Sequence, residues 1–118
     1  MVVATVAQRL RNILDEARVK TDFPSRERFS KDFYWYSPVL KDMLEGKRAD
    51  YIVYPKTAEE IKEIVSLAFK QHIPVTVRGA ATGNYGQIVP MHGGILMDMT
   101  KMNNIMQTRP GSVQVEPG

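Results

Sequence analysis

Residues 51–78 read YIVYPKTAEEIKEIVSLAFKQHIPVTVR, and the hydrophobic period changes twice within them. Tyr51, Ile52, Val53 and Tyr54 form a short β-type run closed by Pro55, which has no amide proton with which to extend a ladder. Thr57 and Glu60 then stand at capping-box spacing: the Thr57 hydroxyl is placed to accept from the Glu60 amide, and the Glu60 carboxylate from the Thr57 amide. Ile61, Ile64, Val65 and Ala68 recur at helical spacing and predict a buried stripe. Pro74 disfavours helical geometry at Ile73, so the helix is expected to stop near His72, where a second β run, Val75–Arg78, begins almost at once. Strand, helix and strand of these lengths predict a βαβ unit whose strands pair in parallel through a right-handed crossover.

Working outward, residues 95–99 and 113–115 predict two further short strands, separated by a turn or helical segment around residues 101–104. Upstream, Val6, Leu10, Ile13, Leu14 and Ala17 lie at helical spacing within residues 3–19 and predict an amphipathic helix. Residues 23–46 are less regular, with Pro24, Ser30, Ser37 and Pro38 marking turns around the aromatic cluster Phe33, Tyr34, Trp35 and Tyr36. No regular basic residues interleave that cluster, so it is expected to dock a connecting segment onto the core rather than stack bases or another flat ring. The expected fold class is α/β (α+β): a βαβ unit followed by two short strands and preceded by an N-terminal helix.

Composition narrows the function classes. With 43% hydrophobic and 25% charged residues, the 118-residue chain is expected to fold as one modest domain. That size leaves little room for a cofactor site, a substrate site and catalytic machinery together. The absence of cysteine removes disulfides, thiolate catalysis and Cys-based metal sites, and suits a reducing compartment. No apolar run approaches the roughly 18 residues of a spanning helix. Gln8, Arg9 and Arg11 interrupt residues 1–14, so no signal peptide is read there and the cytoplasm is the expected location. The net charge of +3 comes from Lys and Arg that alternate with Asp and Glu in the first half, a solvated surface rather than a nucleic-acid stripe. His72 and His92 stand alone and predict no metal site, while Asp15-Glu16 and Glu59-Glu60 fit helix surfaces; no catalytic residue is singled out.

The stretch after the second strand carries the chemistry. Arg78, Gly79, Ala80, Ala81, Thr82, Gly83, Asn84, Tyr85, Gly86 and Gln87 follow it directly, where ligands of open parallel sheets bind beyond the carboxyl ends. After Glu63 the only acids are Asp98 and Glu116, so the loop is free of acids along the chain and tolerant of an anion. Its glycines let successive amides turn inward as an anion-holding nest, with Thr82 and Asn84 as side-chain donors. Hydrogen bonds to a charged partner contribute about 1.5–3 kcal/mol each, so several converging amides suffice to hold a pyrophosphate without lysine. Neither the Rossmann G-x-G-x-x-G nor the Walker Gly-Lys-Ser/Thr spacing is present. Spacing alone leaves two readings open, an anion nest or a surface loop built of turn residues.

Tyr54-Pro55-Lys56-Thr57, the helix after it, and Pro74 through the loop to Gln87 together resemble the vanillyl-alcohol-oxidase-type FAD family, most of all its glycolate oxidase flavin-subunit branch. The likeness continues through Pro90, the run Gly93-Gly94-Ile95-Leu96-Met97-Asp98-Met99 and the Lys101-Met102-Asn103 turn. It implies that residues 49–118 are the first part of a PCMH-type FAD-binding domain, cut at Gly118, with residues 1–48 as an N-terminal helix and docking segment. It further implies that FAD binds at Arg78, Gly79, Ala80, Ala81, Thr82, Gly83, Asn84, Tyr85 and Gly86, with Pro55 near the adenine part. The parent enzyme is then expected to oxidise a small 2-hydroxy acid or alcohol by hydride transfer to flavin. A missing C-terminal part or a partner subunit would complete it, and no turnover is expected from this segment alone. The alternative is a stand-alone nucleotide- or anion-binding module without redox activity. The family loop commonly has glycine where this chain has Ala81, at a cost on the order of 1 kcal/mol if that residue needs positive φ.

Overall fold

Among the residues described by the computed structural model, 4–33 and 35–118, the chain runs α1 (Val6–Ile13), β1 (Val19–Lys20), α2 (Phe23–Phe29), α3 (Pro38–Leu44), β2 (Tyr51–Val53), α4 (Ala58–Lys70), β3 (Val75–Arg78), β4 (Ile95–Asp98), β5 (Ile105–Arg109) and β6 (Ser112–Val115). Val3 of the expected first helix and Tyr34 of the aromatic cluster lie outside the described residues.

The main sheet has the order β1-β2-β4-β3. Strands β2 and β3 are parallel, as expected of a βαβ unit, but they do not pair with each other; β4 enters between them and is parallel to both. Burial explains the insertion. Every residue of β4 is buried, whereas Val75 and Val77 of β3 are exposed, so the strand apolar on both faces takes the centre and β3 the edge. Gly94 admits β4 to that slot: its φ is +80°, and a Cβ there would lie 2.2 Å from the Pro74 carbonyl oxygen. The Ile95 amide donates to that same oxygen at 2.9 Å, locking the entry of β4 beside β3.

One sheet face, with Val53, Ile95 and Met97, packs under α1 and α4 through Leu10, Ile64 and Ala68, joined by Leu14 and Val19. The other face, with Ala49, Ile52 and Leu96, packs against Phe29 and Tyr54. The buried stripe of α4 is narrower than its spacing suggests, because Val65 is 45% exposed. Only half of the expected capping box forms. Thr57 accepts from the Glu60 amide at 3.2 Å, but the Glu60 carboxylate takes the Lys56 amide at 3.0 Å and the Arg18 guanidinium at 2.5 and 3.1 Å. At the far end His72 adopts φ 54°, and the Ile73 amide reaches back to the Ala68 carbonyl, so a histidine ends the helix where glycine is commoner.

The N-terminal helix is shorter than expected. It starts at a capping box between Thr5 and Gln8 and ends at Ile13; a 3-10 turn, Glu16–Arg18, leads into β1, which pairs antiparallel with β2. Tertiary contacts override local spacing here, since Arg18 turns in to bond Glu60 and the Tyr54 carbonyl. Residues 23–46, expected to be irregular, hold two short helices instead. Asp22 and Ser37 cap them by accepting from the Ser25 and Leu40 amides, with Pro24 and Pro38 in their first turns. Strand β5 lies where no strand was expected, and it forms with β6 a separate hairpin across Pro110-Gly111.

Candidate functional site

The loop after β3 leaves the sheet at Arg78, whose side chain faces inward rather than toward a ligand. Its guanidinium is buried, donates through Nη1 to the carbonyls of Phe29 at 2.6 Å and Lys31 at 3.4 Å, and faces the Asp98 carboxylate at 3.4 Å. It also lies 5.4 Å from the centre of the Phe29 ring. Arg78 therefore anchors the root of the loop to residues 29–31, its charge met by Asp98 on the neighbouring strand.

Beyond it the chain turns at Ala81, a buried residue with φ 58°, whose carbonyl accepts the Phe33 amide at 3.2 Å. The amides of Ala80, Ala81, Thr82, Gly83 and Asn84 donate to no acceptor among the described residues. The next two do: Tyr85 to the Gln87 side-chain oxygen and Gly86 to the Asp32 carboxylate, each at 3.1 Å. The sequence-derived site thus divides. Residues 80–84 keep a run of amides without an acceptor among the described residues, whereas the Arg78 guanidinium and the Tyr85 and Gly86 amides are bonded within the protein.

Asp32 is the residue that sequence reading missed. The loop is free of acids along the chain but not in space, because Asp32 Oδ2 lies 4.0 Å from where a Gly83 Cβ would stand. Its other oxygen accepts the Tyr36 hydroxyl at 2.7 Å. Burial, and then the Asp32 bond, push the Tyr36 phenol up to about 12, so it remains a donor across the physiological range. The aromatic cluster docks differently from the expectation: Phe33 and Trp35 are 79% and 75% exposed, and this stretch is held by its backbone, Asp32 and Tyr36. Adjacent aromatics on an irregular segment cannot all face inward.

A cavity of about 700 Å³ opens at the carboxyl ends of β2 and β4. Lys20, Lys56 and Lys101 contribute to its wall with Arg18 and the acids Asp15 and Asp98, beside Phe29 and Tyr54, whose rings meet edge to face 6.1 Å apart. Pro55 is fully buried and is not part of that wall; its neighbours Tyr54 and Lys56 are. A strand terminator flanked by a ring and an ammonium group marks the cavity better than the proline itself. Among the described residues no group of three His, Asp or Glu side chains converges to hold a metal, and no helix is long and apolar enough to cross a membrane.

A loop with unbonded backbone amides beyond parallel strands, near a cavity lined by lysines, acids and aromatic rings, suits the class of proteins that bind dinucleotides at the carboxyl ends of a sheet. Comparison with known proteins makes the class specific. Residues 49–118 match the model of the FAD binding domain family, and the chain belongs to that family, with FAD as its cofactor. It is 39% identical over 59 residues to a D-lactate dehydrogenase of Anaerostipes hadrus, a match covering 50% of this chain and 12% of that protein. It is 32% identical over 69 residues to the glycolate oxidase subunit GlcD of Escherichia coli strain K12, covering 57% of this chain and 14% of the relative. The chain thus spans less than a quarter of the length of these relatives. Among solved structures, p-cresol methylhydroxylase with substrate bound superposes with a TM-score of 0.78 at 22% identity, over 95% of this chain and 21% of that one. The likeness establishes the fold, a mixed α/β PCMH-type FAD-binding arrangement.

Proposed function

We propose that the amides of residues 80–84, with the Thr82 and Asn84 side chains beside them, hold the pyrophosphate of FAD in a flavin-dependent oxidoreductase acting on a small 2-hydroxy acid or alcohol. The observation that carries the site is the run of five amides without an acceptor among the described residues, on a loop rooted by Arg78 and Gly79. The substrate class follows the relatives, whose names specify lactate and glycolate. Bound FAD supplies the two-electron acceptor; the chain's own residues bind and orient it. Arg78 shapes the loop from behind, and Lys20, Lys56 and Lys101 add positive potential along the adjoining cavity. Residues 1–48 form the docking segment and residues 49–118 the FAD-binding part. Further protein, from the same polypeptide or a partner subunit, encloses the reacting ring and the substrate, in the cytoplasm.

Gly83→Val in the native protein tests the site. A Cβ at Gly83 would lie 2.8 Å from Gln87 Oε1, the movable end of a side chain, so the fold can accommodate the change. The added branch instead crowds the diphosphate. FAD affinity, read by flavin fluorescence titration, is expected to fall at least about tenfold, the equivalent of one lost charge-assisted bond, with the circular dichroism spectrum unchanged. Unaltered flavin occupancy would remove the assignment.

A further inference from the structure

We infer that Asp32 is the positioning residue of the cofactor loop: its carboxylate holds the far end of the loop so that the amides of residues 80–84 stay turned toward the diphosphate. The inference rests on the FAD reading of that loop. Asp32 lies outside the family-matched residues 49–118, in the segment that precedes them. It is nonetheless 8% exposed and takes the Gly86 amide on Oδ2 and the Tyr36 hydroxyl on Oδ1.

Its neighbours hold the same loop at other points. The Phe33 amide bonds the Ala81 carbonyl, and the carbonyls of Phe29 and Lys31 receive the Arg78 guanidinium. Phe29, Lys31, Asp32 and Phe33 therefore engage the loop at its root, its middle and its far end. The bond to Ala81 bears on the backbone most in need of help, a non-glycine residue at φ 58° that persists only where surrounding contacts over-determine it.

A carboxylate so close to a diphosphate would repel it if its charge were the useful property. The geometry uses its lone pairs instead: each oxygen accepts a hydrogen bond, one from a backbone amide of the loop and one from a phenol that stays protonated. Asparagine can reproduce these two of its contacts, accepting from Gly86 through its amide oxygen and donating its NH₂ group to the Tyr36 oxygen. It does so without negative charge near Gly83. Acceptance rather than charge is thus the property under test.

The experiment compares the native protein with Asp32→Ala and Asp32→Asn, stripped of flavin and titrated with FAD, with backbone hydrogen exchange followed in the flavin-free state. Asp32→Ala is expected to weaken FAD binding at least about tenfold and to speed exchange at Gly86, with the amides of β4 unchanged. Asp32→Asn is expected to bind FAD as tightly as the native protein or more tightly. Alanine affinity within about twofold of native, or asparagine as weak as alanine, overturns the inference. If Asp32→Ala does not fold, the asparagine variant decides: native or tighter affinity upholds the acceptor role, and tenfold weaker binding overturns it. A native protein that takes up no FAD at all would sink the cofactor reading instead. Exchange at Gly86 then decides the role of Asp32, faster in Asp32→Ala upholding its hold on the loop and unchanged overturning it.

Discussion

Ala81 carries a methyl group at a backbone conformation that left-handed sterics penalise by about 1–2 kcal/mol, and it does so in the middle of the cofactor loop. Replacing it with glycine removes that strain, while the more flexible unfolded chain gives back part of the gain. Ala81→Gly is therefore expected to raise unfolding stability by about 0.5–1 kcal/mol, measured in urea. Lower stability would mean that the methyl group's burial outweighs its conformational cost. At this scale the candidate loop was legible in the sequence wherever contacts are local. The glycine loop stands out as ten consecutive residues, and even the penalty at Ala81 follows from residue type. Asp32 did not stand out, because it meets Gly86 across 54 positions of chain and nothing in its own neighbourhood sets it apart from any surface acid.

Elements were readable in proportion to their length. Helix α4 has thirteen residues and announces its start through Thr57 and its stop through Pro74, whereas β1 has two residues and exists only because β2 lies beside it. The hairpin strand β5 is exposed throughout and shows no alternation; its one signal was the Pro110-Gly111 turn that leads into β6. What joins the start of α4 to the N-terminal turn is the Arg18–Glu60 pair, largely shielded from water on both sides. Burial is the largest influence on Glu60 and would raise its pKa, yet the Arg18 bond and the Lys56 amide together bring it below the usual 4.5. The folded value being the lower one, this contribution is complete above about pH 4.5 and is lost as pH falls through the depressed value. Glu60→Gln is thus expected to cost about 1–3 kcal/mol at pH 7 in urea unfolding, with the gap from native closing as pH falls below 4.5. A gap independent of pH would show that packing, not the ion pair, holds this junction.

Across the whole molecule, burial is uneven. The four-stranded sheet is covered on both faces, but every residue of β5 and β6 is exposed, and a lone two-stranded hairpin is marginal in water. Backbone amides of the hairpin are expected to exchange at least about 100-fold faster than those of β4, and equal protection would mean that the hairpin is covered in solution. The fold class was readable because one central unit sets it; the strand order was not, because it depends on which of two apolar runs is apolar on both faces. That order bears on how the protein is born. Both outer parallel strands leave the ribosome before the strand that must separate them, and at about 5–20 residues per second the twenty residues from Arg78 to Asp98 take roughly 1–4 s to follow. During that interval the nascent chain holds two strand edges with no legitimate partner. Val75 and Val77 stay exposed even in the finished fold, so the edge that waits for β4 is an apolar one from synthesis onward, and the speed with which β4 arrives sets how long its pairing groups stand open.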